Sequence, residues 1–341
     1  MHKRNATTQR SKHVRTSIKV FAAATAATAL ALAGCSSGGG DNGGGDSNDP
    51  PRVVAFTSGN QTPIGAWWVK DVEATAEELG WDLTMIQGDF DFQKMNPAVE
   101  SAIGQGTDVV FDGFTDIASI ASISTAAKDA GVPMFAVDSG TEPNDAFALN
   151  ITADQQGIVD QTMGAISDAI GGLEGKTIMV IGHDPHAGIR MRSGLAAEAV
   201  EAAGATLAGG EIQQVVSPAT GRTEALALVA DYLTANPNGL DAVWVGWDDA
   251  ALGAVQAVSE AGASAVVTGC DATSEAIAAI EAGTMLATVE QPWPMVNASV
   301  VDAIVAYLDS GAMPSSNFEA VATTLVTKAN AADITPSDKL G

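Results

Sequence analysis

After the first fifty residues, short runs of apolar and β-branched residues alternate with alanine-rich stretches. In the alanine-rich stretches, apolar positions recur every three or four residues, which is the spacing of one face of an α-helix. Val69, Val72, Ala76 and Leu79 form one such stripe, and Gly80 follows it as a helix-ending residue. The intervening apolar runs are too short for helices and predict strands at residues 53–57, 83–86, 109–111, 134–137, 177–181, 242–245 and 265–268.

This alternation predicts an α/β fold with parallel sheets. A helix between two strands of one sheet makes a right-handed crossover, which leaves those strands parallel. In such sheets, ligands bind beyond the carboxyl ends of the strands. The candidate binding residues are therefore those that follow a predicted strand.

An internal repeat divides the pattern into two halves. Residues 108–118 and 241–251 both read D-x-V-aromatic-x-G-aromatic-x-D-x-A. Each copy is followed by a helical stretch ending in Ala-Gly and then by a strand that leads to an aspartate, Asp138 or Asp271. Both aspartates lie 30 residues after the start of their copy. We therefore expect two similar α/β lobes that face each other across a ligand-binding crevice.

The N-terminal region has the pattern of an export signal. Basic residues precede an apolar run at 20–33, which is shorter than the about 20 residues needed to span a membrane. The run ends in Leu-Ala-Gly-Cys35, which resembles the lipobox of bacterial lipoproteins. We expect cleavage after residue 34 and two acyl chains on Cys35, enough for stable anchoring at the outer face of the cell membrane. An ordinary signal peptide with a fortuitous cysteine is the alternative.

Composition and charge exclude some classes of function. Residues 35–50 are rich in Gly, Ser and Asp and predict a flexible tether. Without residues 1–34, 10 Lys and Arg stand against 41 Asp and Glu, a formal charge of −31. A surface this acidic repels phosphate backbones, so we expect no nucleic-acid partner. Cys270 has no disulfide partner once Cys35 is lipidated, so the fold must depend on its core.

Asp138 and Asp271 are the first candidates for ligand contact. A single aspartate at a strand end is more often a helix N-cap or a solvated turn residue. Two at matched positions indicate a shared ligand, because carboxylates form strong hydrogen bonds with hydroxyl groups. Arg190 and Arg192 begin the helix after the strand at 177–181, where one guanidinium can donate to ligand oxygens. A surface residue that balances acidic charge is the alternative for each arginine.

Catalytic and metal sites are poorly supported by the sequence. His183 and His186 flank a proline in a predicted loop and, with one Asp between them, make a poor zinc set. Cys270 has no histidine nearby in the sequence, and no G-x-S-x-G motif occurs. We therefore expect neither an enzyme nor a bound metal or cofactor.

In order and spacing, the motifs resemble the type I periplasmic binding proteins, specifically their sugar-binding branch. The resemblance spans residues 53–327 and implies two Rossmann-like lobes joined by a three-crossing hinge. The implied lobes are 51–153 with 292–325, and 154–291 with 326–341. The supporting motifs are Leu-Gly-Trp at 79–81, Gly-Val-Pro at 131–133, Arg190-x-Arg192, Asp-Asp-Ala-Ala-Leu-Gly-Ala at 248–254, Gly-Cys-Asp at 269–271 and Ala-Thr-Val-Glu-Gln at 287–291.

The resemblance also implies which residues contact the ligand. Position by position, it implies that Asp138, Arg192, Asp271 and Gln291 form hydrogen bonds with the ligand. Ser139 stands where the family has a further arginine, so this chain departs from the ribose-binding pattern there.

Aromatic residues are the second group that the resemblance concerns. Trp247 falls where the family often has a ligand-binding asparagine, and Asp248 matches the aspartate after it. The family's paired aromatics in the first loop are not matched, but Trp67 and Trp68 lie just beyond that loop. An aromatic face for a sugar ring is thus available from Trp67 or Trp68, Phe114 and Trp247. Core packing is the alternative for each tryptophan.

The predicted function is that of a lipid-anchored, monomeric solute-binding protein of an ABC importer. Its partners would be a sugar or sugar-like polyol and the importer's permease. The alternative is a ligand-sensing lipoprotein for a nucleoside, autoinducer or amino acid, reporting to a membrane receptor. A transcription regulator of the same fold is excluded by the export signal and by the lack of a basic helix-turn-helix.

Overall fold

The first of two sheets consists of six parallel strands. The computed structural model describes residues 49–340, so the predicted signal peptide, Cys35 and most of the predicted tether lie outside the described residues. Across this sheet the strands are β1 (Arg52–Thr57), β2 (Asp82–Gln87), β3 (Val109–Gly113), β4 (Met134–Val137), β5 (Leu149–Ala153) and β12 (Phe318–Val321), in the order β12–β5–β4–β3–β1–β2.

The second sheet is also mainly parallel. Its order is β13–β11–β10–β9–β6–β7, with β8 paired to β6, and only the β11–β13 pair among its described strands is antiparallel. These strands are β6 (Thr177–Gly182), β7 (Thr206–Leu207), β8 (Gln213–Gln214), β9 (Ala242–Val245), β10 (Val266–Thr268), β11 (Ala287–Glu290) and β13 (Thr324–Thr327).

Helices cover both faces of each sheet. Apolar side chains fill the space between sheet and helices on either side, as the alternation of short apolar runs with helical stripes predicts. In chain order the helices are α1 (Pro63–Leu79), α2 (Phe92–Gly104), α3 (Ala121–Ala130), α4 (Gln155–Ile170), α5 (Ala187–Ala202), α6 (Gly221–Ala235), α7 (Asp248–Glu260), α8 (Ser274–Ala282) and α9 (Trp293–Ser310).

Helix α1 illustrates how the sequence sets these elements. The Thr62 side chain caps its start by accepting a hydrogen bond from the Gly65 amide at 3.1 Å, and Pro63 occupies the first turn. Gly80 ends the helix in the left-handed conformation, with φ of 70°. The predicted stripe is buried except at Leu79, which is 42% exposed.

The chain passes between the two sheets three times, from β5 to β6, from β11 to β12 and from β12 to β13. The predicted α/β fold with two Rossmann-like lobes is confirmed. We call the first sheet with α1–α3 and α9 the first lobe, and the second sheet with α4–α8 the second lobe. The residue boundaries of the lobes given above stay predictions.

All seven predicted strands are present, and their ends differ by two residues at most. The missed strands include β5 and β11, where polar residues interrupt the apolar run. Those polar residues are buried and used: Thr152 donates to Asp138, and Thr288 donates to Asp248 at 2.6 Å. The polar residues that interrupt the apolar runs of β5 and β11 are thus the ones that hold Asp138 and Asp248 in place by hydrogen bonds.

Two further properties of residues 49–340 bear on the predictions. Within this range, no helix combines the length and the apolar character required to cross a membrane. Cys270 is a buried free thiol, packed with the apolar core between the first sheet and helices α1 and α9.

Candidate functional site

A cavity of about 350 Å³ lies between the two lobes. Its walls come from the segments that follow the carboxyl ends of the strands of both sheets, where open α/β sheets bind ligands. Six of the nine predicted ligand-contacting residues line it: Phe114, Asp138, Arg192, Trp247, Asp271 and Gln291.

Asp138 directly follows β4 and is almost completely buried. Its φ of 56° is in the left-handed region, which aspartate tolerates better than most residues. Its amide donates to the Ile151 carbonyl at 2.9 Å, and its carboxylate accepts a hydrogen bond from Thr152. Burial raises its pKa to about 6, against the opposing effects of the Thr152 hydrogen bond and the Arg192 charge.

Asp271 occupies the matching place in the second lobe. Its φ of 122° is also positive, and its amide donates to the Val289 carbonyl at 2.9 Å, just as that of Asp138 donates to the next strand. Its Oδ1 accepts from Gln291 Nε2 at 2.8 Å. Burial raises its pKa to about 7, and the positive charge of Arg192 opposes the shift. The repeat thus leads to two equivalent carboxyl groups on opposite sides of one cavity.

Arg192 lies near both aspartates and is itself buried. Its Nε donates to the Gly246 carbonyl at 2.8 Å, and one terminal nitrogen donates to Gln155 Oε1 at 2.9 Å. These bonds hold the guanidinium in place along the cavity wall. Arg190, two residues earlier on the same helix, does not line the cavity.

His186 is a cavity residue that the sequence analysis did not select. It caps the start of α5, where its Nδ1 accepts from the Ile189 amide at 3.4 Å. Because Nδ1 is an acceptor, the proton of the neutral ring is on Nε2, which lies 3.6 Å from Asp138 Oδ2. Burial and the charge of Arg192 lower its pKa to about 3, so the ring is neutral.

The aromatic wall differs from the one that the sequence suggests. Trp247 and Phe114 line the cavity as expected. Trp293 joins them, with its ring edge-on to Phe114 at a centroid distance of 5.1 Å. Trp293 and Phe90 also follow strands, and this position in the sequence could have identified them as candidate cavity residues.

Trp67 and Trp68 do not line the cavity. Both lie on the inner face of α1 and pack in the core of the first lobe. The Trp68 indole N–H donates to Asn297 Oδ1 at 2.9 Å, and its ring packs edge-on against Phe111. Trp67 also borders a separate groove along α1, next to Leu340. Core packing, the alternative reading, describes both residues.

Asp248 does not line the cavity either. Its side chain is completely buried beneath the cavity wall, where it accepts hydrogen bonds from the Thr273 amide at 2.8 Å and from Thr288. Burial, together with the nearby charge of Asp271, raises its pKa well above the ordinary value. The next residue, Asp249, lines the cavity instead.

The site has the features of a binding pocket for a polar, uncharged molecule. Two carboxyl groups accept or donate hydrogen bonds, Arg192 and Gln291 add further polar atoms, and aromatic rings provide apolar walls. Among residues 49–340, no three His, Cys, Asp or Glu side chains are grouped so as to hold a metal ion.

Comparison with known proteins agrees with this architecture. The family described as "Periplasmic binding protein domain" matches residues 54–312. The ribose import binding protein of Bacillus subtilis is 25% identical over 224 residues, covering 65% of this chain and 70% of that protein. The D-apiose import binding protein of Paraburkholderia graminis is 24% identical over 281 residues, covering 82% of this chain and 88% of that protein.

Solved structures share the fold at low sequence identity. An ABC transporter solute-binding protein from Agrobacterium vitis with bound allitol has a TM-score of 0.75 at 20% identity, covering 83% of this chain and 97% of that one. The chain therefore belongs to the periplasmic binding protein family, and its resemblance to the type I sugar-binding branch is confirmed.

Proposed function

We propose that this protein binds a sugar or sugar-like polyol between its two lobes and delivers it to an ABC importer. The observation that carries the proposal is the convergence of Asp138, Arg192 and Asp271, from two lobes, on one cavity. Phe114, Asp138, Arg192, Trp247, Asp271 and Gln291 are the proposed ligand-contacting residues.

The chemistry of the cavity favours a polyhydroxylated ligand. A hydroxyl group both donates and accepts, so it can satisfy a carboxylate and a guanidinium that lie close together. The rings of Phe114 and Trp247 can pack on the apolar C–H face of a sugar or cyclitol. A ligand carboxylate or phosphate would be repelled by Asp138 and Asp271, with Arg192 alone to balance both. A cavity of about 350 Å³ is at the small end of the range for small-molecule sites.

The relatives support the same class of ligand. Two of them are named for import of ribose and of apiose, and the allitol-bound neighbour holds a linear polyol. Their involvement in import supports an ABC permease as the partner of this chain. Ser139 departs from the family pattern and lies beside the site. We therefore do not infer from the relatives which sugar this chain binds.

A thermal-shift screen of the purified protein tests the proposal. Sugars, linear polyols and cyclitols form one arm, and nucleosides and amino acids form the other. A ligand at 100 times its dissociation constant stabilises the folded state by about 2.7 kcal/mol, which a melting curve resolves. We expect at least one polyhydroxylated compound to raise the melting temperature. A shift with nucleosides or amino acids alone would contradict the proposal.

We also propose that Cys35 anchors the protein to the outer face of the cell membrane. The support is the apolar run that ends in Leu-Ala-Gly-Cys and the segment rich in Gly, Ser and Asp after it. In Cys35→Ser, we expect the protein to stay uncleaved by the lipoprotein pathway or to be released into the medium. A Cys35→Ser protein that is processed and fractionates with membranes like the wild type would show that the lipobox interpretation is wrong.

A further inference from the structure

Asp116 and Arg190 form an ion pair between the lobes. Asp116 lies after β3 of the first lobe, and Arg190 lies on α5 of the second lobe. A terminal nitrogen of Arg190 donates to Asp116 Oδ2 at 2.9 Å. The Asp116 side chain is only 4% exposed, whereas that of Arg190 is 47% exposed.

Each partner is also fixed within its own lobe. The other carboxylate oxygen of Asp116 accepts from the Ala118 amide at 2.8 Å, capping the short 3-10 helix at Ile117–Ile120. The other terminal nitrogen of Arg190 donates to the Asp184 carbonyl, close to the start of α5. Because each side chain is also held by a contact within its own lobe, we expect pairing to cost less side-chain entropy than in an ordinary surface ion pair.

This pair is separate from the cavity. Neither Asp116 nor Arg190 lines it, in contrast to His186 and Asp138, which also face each other across the lobes at 3.6 Å. A molecule bound at Asp138 can replace the His186 contact. The Asp116–Arg190 contact uses no residue that lines the cavity, so a bound molecule would not compete for it, whereas separation of the lobes would break it.

We propose that Arg190 is a positioning residue that, through Asp116, stabilises the closed arrangement of the lobes and slows ligand release. The proposal rests on the proposed function, because release from a closed cleft is what the pair would control. A contact made only in the closed state raises the closed fraction and therefore the apparent affinity, with no contact to the ligand.

Variants that separate this role from a structural one are available. Arg190→Ala removes the donor, and Asp116→Asn removes the charge while its amide oxygen can still cap Ala118. Arg222→Ala is the matched control. Arg222 pairs with Asp249 at 2.9 Å and with Glu275, but all three residues belong to the second lobe. Loss of that pair should leave lobe closure unchanged.

Small-angle scattering of the ligand-free mature protein gives the first readout. At low salt we expect a larger radius of gyration for Arg190→Ala and Asp116→Asn than for the wild type and Arg222→Ala. Salt at about 1 M should reduce the difference, because the Debye length falls to about 3 Å and the Arg190 end of the pair is exposed. This readout needs no ligand, so it tests the pair even if the proposed function is wrong.

Binding kinetics with D-ribose and allitol as probes give the second readout. For whichever probe binds the wild type, we expect dissociation about two- to fivefold faster in either variant, because the Arg190 end of the pair is exposed, with little change in association. The double variant should be no worse than a single one, because both remove the same interaction. Scattering curves and dissociation rates equal to those of the wild type would overturn the proposal. Failure of every sugar and polyol to bind the wild type would instead overturn the proposed function.

Discussion

The two copies of the internal repeat begin with the same structural role. In the first, Asp108 Oδ2 accepts from the Arg52 amide at 2.7 Å, at the start of β1. In the second, Asp241 Oδ2 accepts from the Thr177 amide at 2.9 Å, at the start of β6. Each aspartate therefore joins the strand that follows it to the neighbouring parallel strand. The shared first residue of the motif is explained by sheet assembly and not by ligand contact.

The glycines of the two copies also correspond. A Cβ at Gly113 would lie 2.6 Å from the Trp68 ring, and one at Gly246 would lie 2.9 Å from the Ile189 Cγ2 methyl group. Each glycine allows a helix side chain to pack directly on the backbone at the carboxyl end of its strand. The neighbour differs, a rigid indole in the first lobe and a methyl group in the second.

The copies diverge after the glycine. Phe114 has a left-handed φ of 61°, whereas Trp247 is extended. The last aspartates take different partners: Asp116 pairs with Arg190 across the lobes, and Asp249 pairs with Arg222 within its own lobe. The comparison shows that the first half of the motif, up to the glycine, is constrained by the packing of its strand in the sheet. The half beyond the strand is less constrained, and its aspartate pairs across the lobes in the first copy but within its own lobe in the second.

The largest effects are expected from the paired aspartates. Removing one partner from a buried polar set costs about 1–3 kcal/mol for neutral groups and more for charged ones. We therefore expect Asp138→Ala, Asp271→Ala and Arg192→Ala each to weaken sugar or polyol binding more than tenfold, where a decade is about 1.4 kcal/mol. Calorimetry with the compound selected in the thermal-shift screen measures this.

Lys176→Ala is the control for that experiment, because neither Lys176 nor its ion-pair partner Asp241 lines the cavity. If Asp138→Ala and Asp271→Ala bind like the wild type, the two aspartates are equivalent in their position in the fold but do not contact the ligand. In that case the ligand contacts lie elsewhere on the cavity wall.

The glycine pair should give a smaller and unequal effect on stability. Gly113→Ala forces a methyl group against the Trp68 ring. This ring is completely buried and hydrogen-bonded to Asn297, so its displacement would be energetically costly. Overpacking of this kind costs about 1–3 kcal/mol. Gly246→Ala meets the Ile189 methyl group on the cavity wall, which has room to move, so we expect a lower cost. Urea unfolding measures the loss of stability in both variants. Equal losses of stability, or a greater loss for Gly246→Ala, would contradict the expected difference.

A separate effect is expected on the pH dependence of stability. Burial raises the pKa of Asp138 to about 6 and that of Asp271 to about 7, against an ordinary value of 3.8. The folded state thus binds these protons more tightly than the unfolded state, and stability falls as the pH rises from about 4 to about 7. In Asp271→Asn the ligand-free protein should lose less stability over this range than the wild type, and Asp138→Asn should show a smaller change of the same sign.

Melting temperatures across this pH range measure the effect. A difference of 1 kcal/mol corresponds to about 2–4 °C for a domain of 150–250 residues. Identical pH profiles for Asp271→Asn and the wild type would show that Asp271 does not titrate with a raised pKa in the folded protein.

Much of the fold and of the site follows from the sequence, because both depend on short-range periodicity. Apolar runs and helical stripes predict the alternation of strands and helices, and the repeat predicts two lobes. Asp138 and Asp271 are identified because the ends of parallel strands meet at one edge of a sheet. Residues after strands without a repeated partner, such as His186 and Trp293, carry too weak a local signal.

The tertiary structure decides which of two adjacent residues faces the ligand cavity. Asp249 lines it while Asp248 is buried beneath it, and Trp67 and Trp68 both pack in the core of the first lobe. Arg190 and Arg192 are about 200° apart around one helix, so they point to different surroundings. Arg190 contacts Asp116 of the other lobe, and Arg192 contacts Gly246 and Gln155 of its own lobe, all of them far away in sequence. Local pattern sets the elements, and long-range packing assigns each side chain its partner.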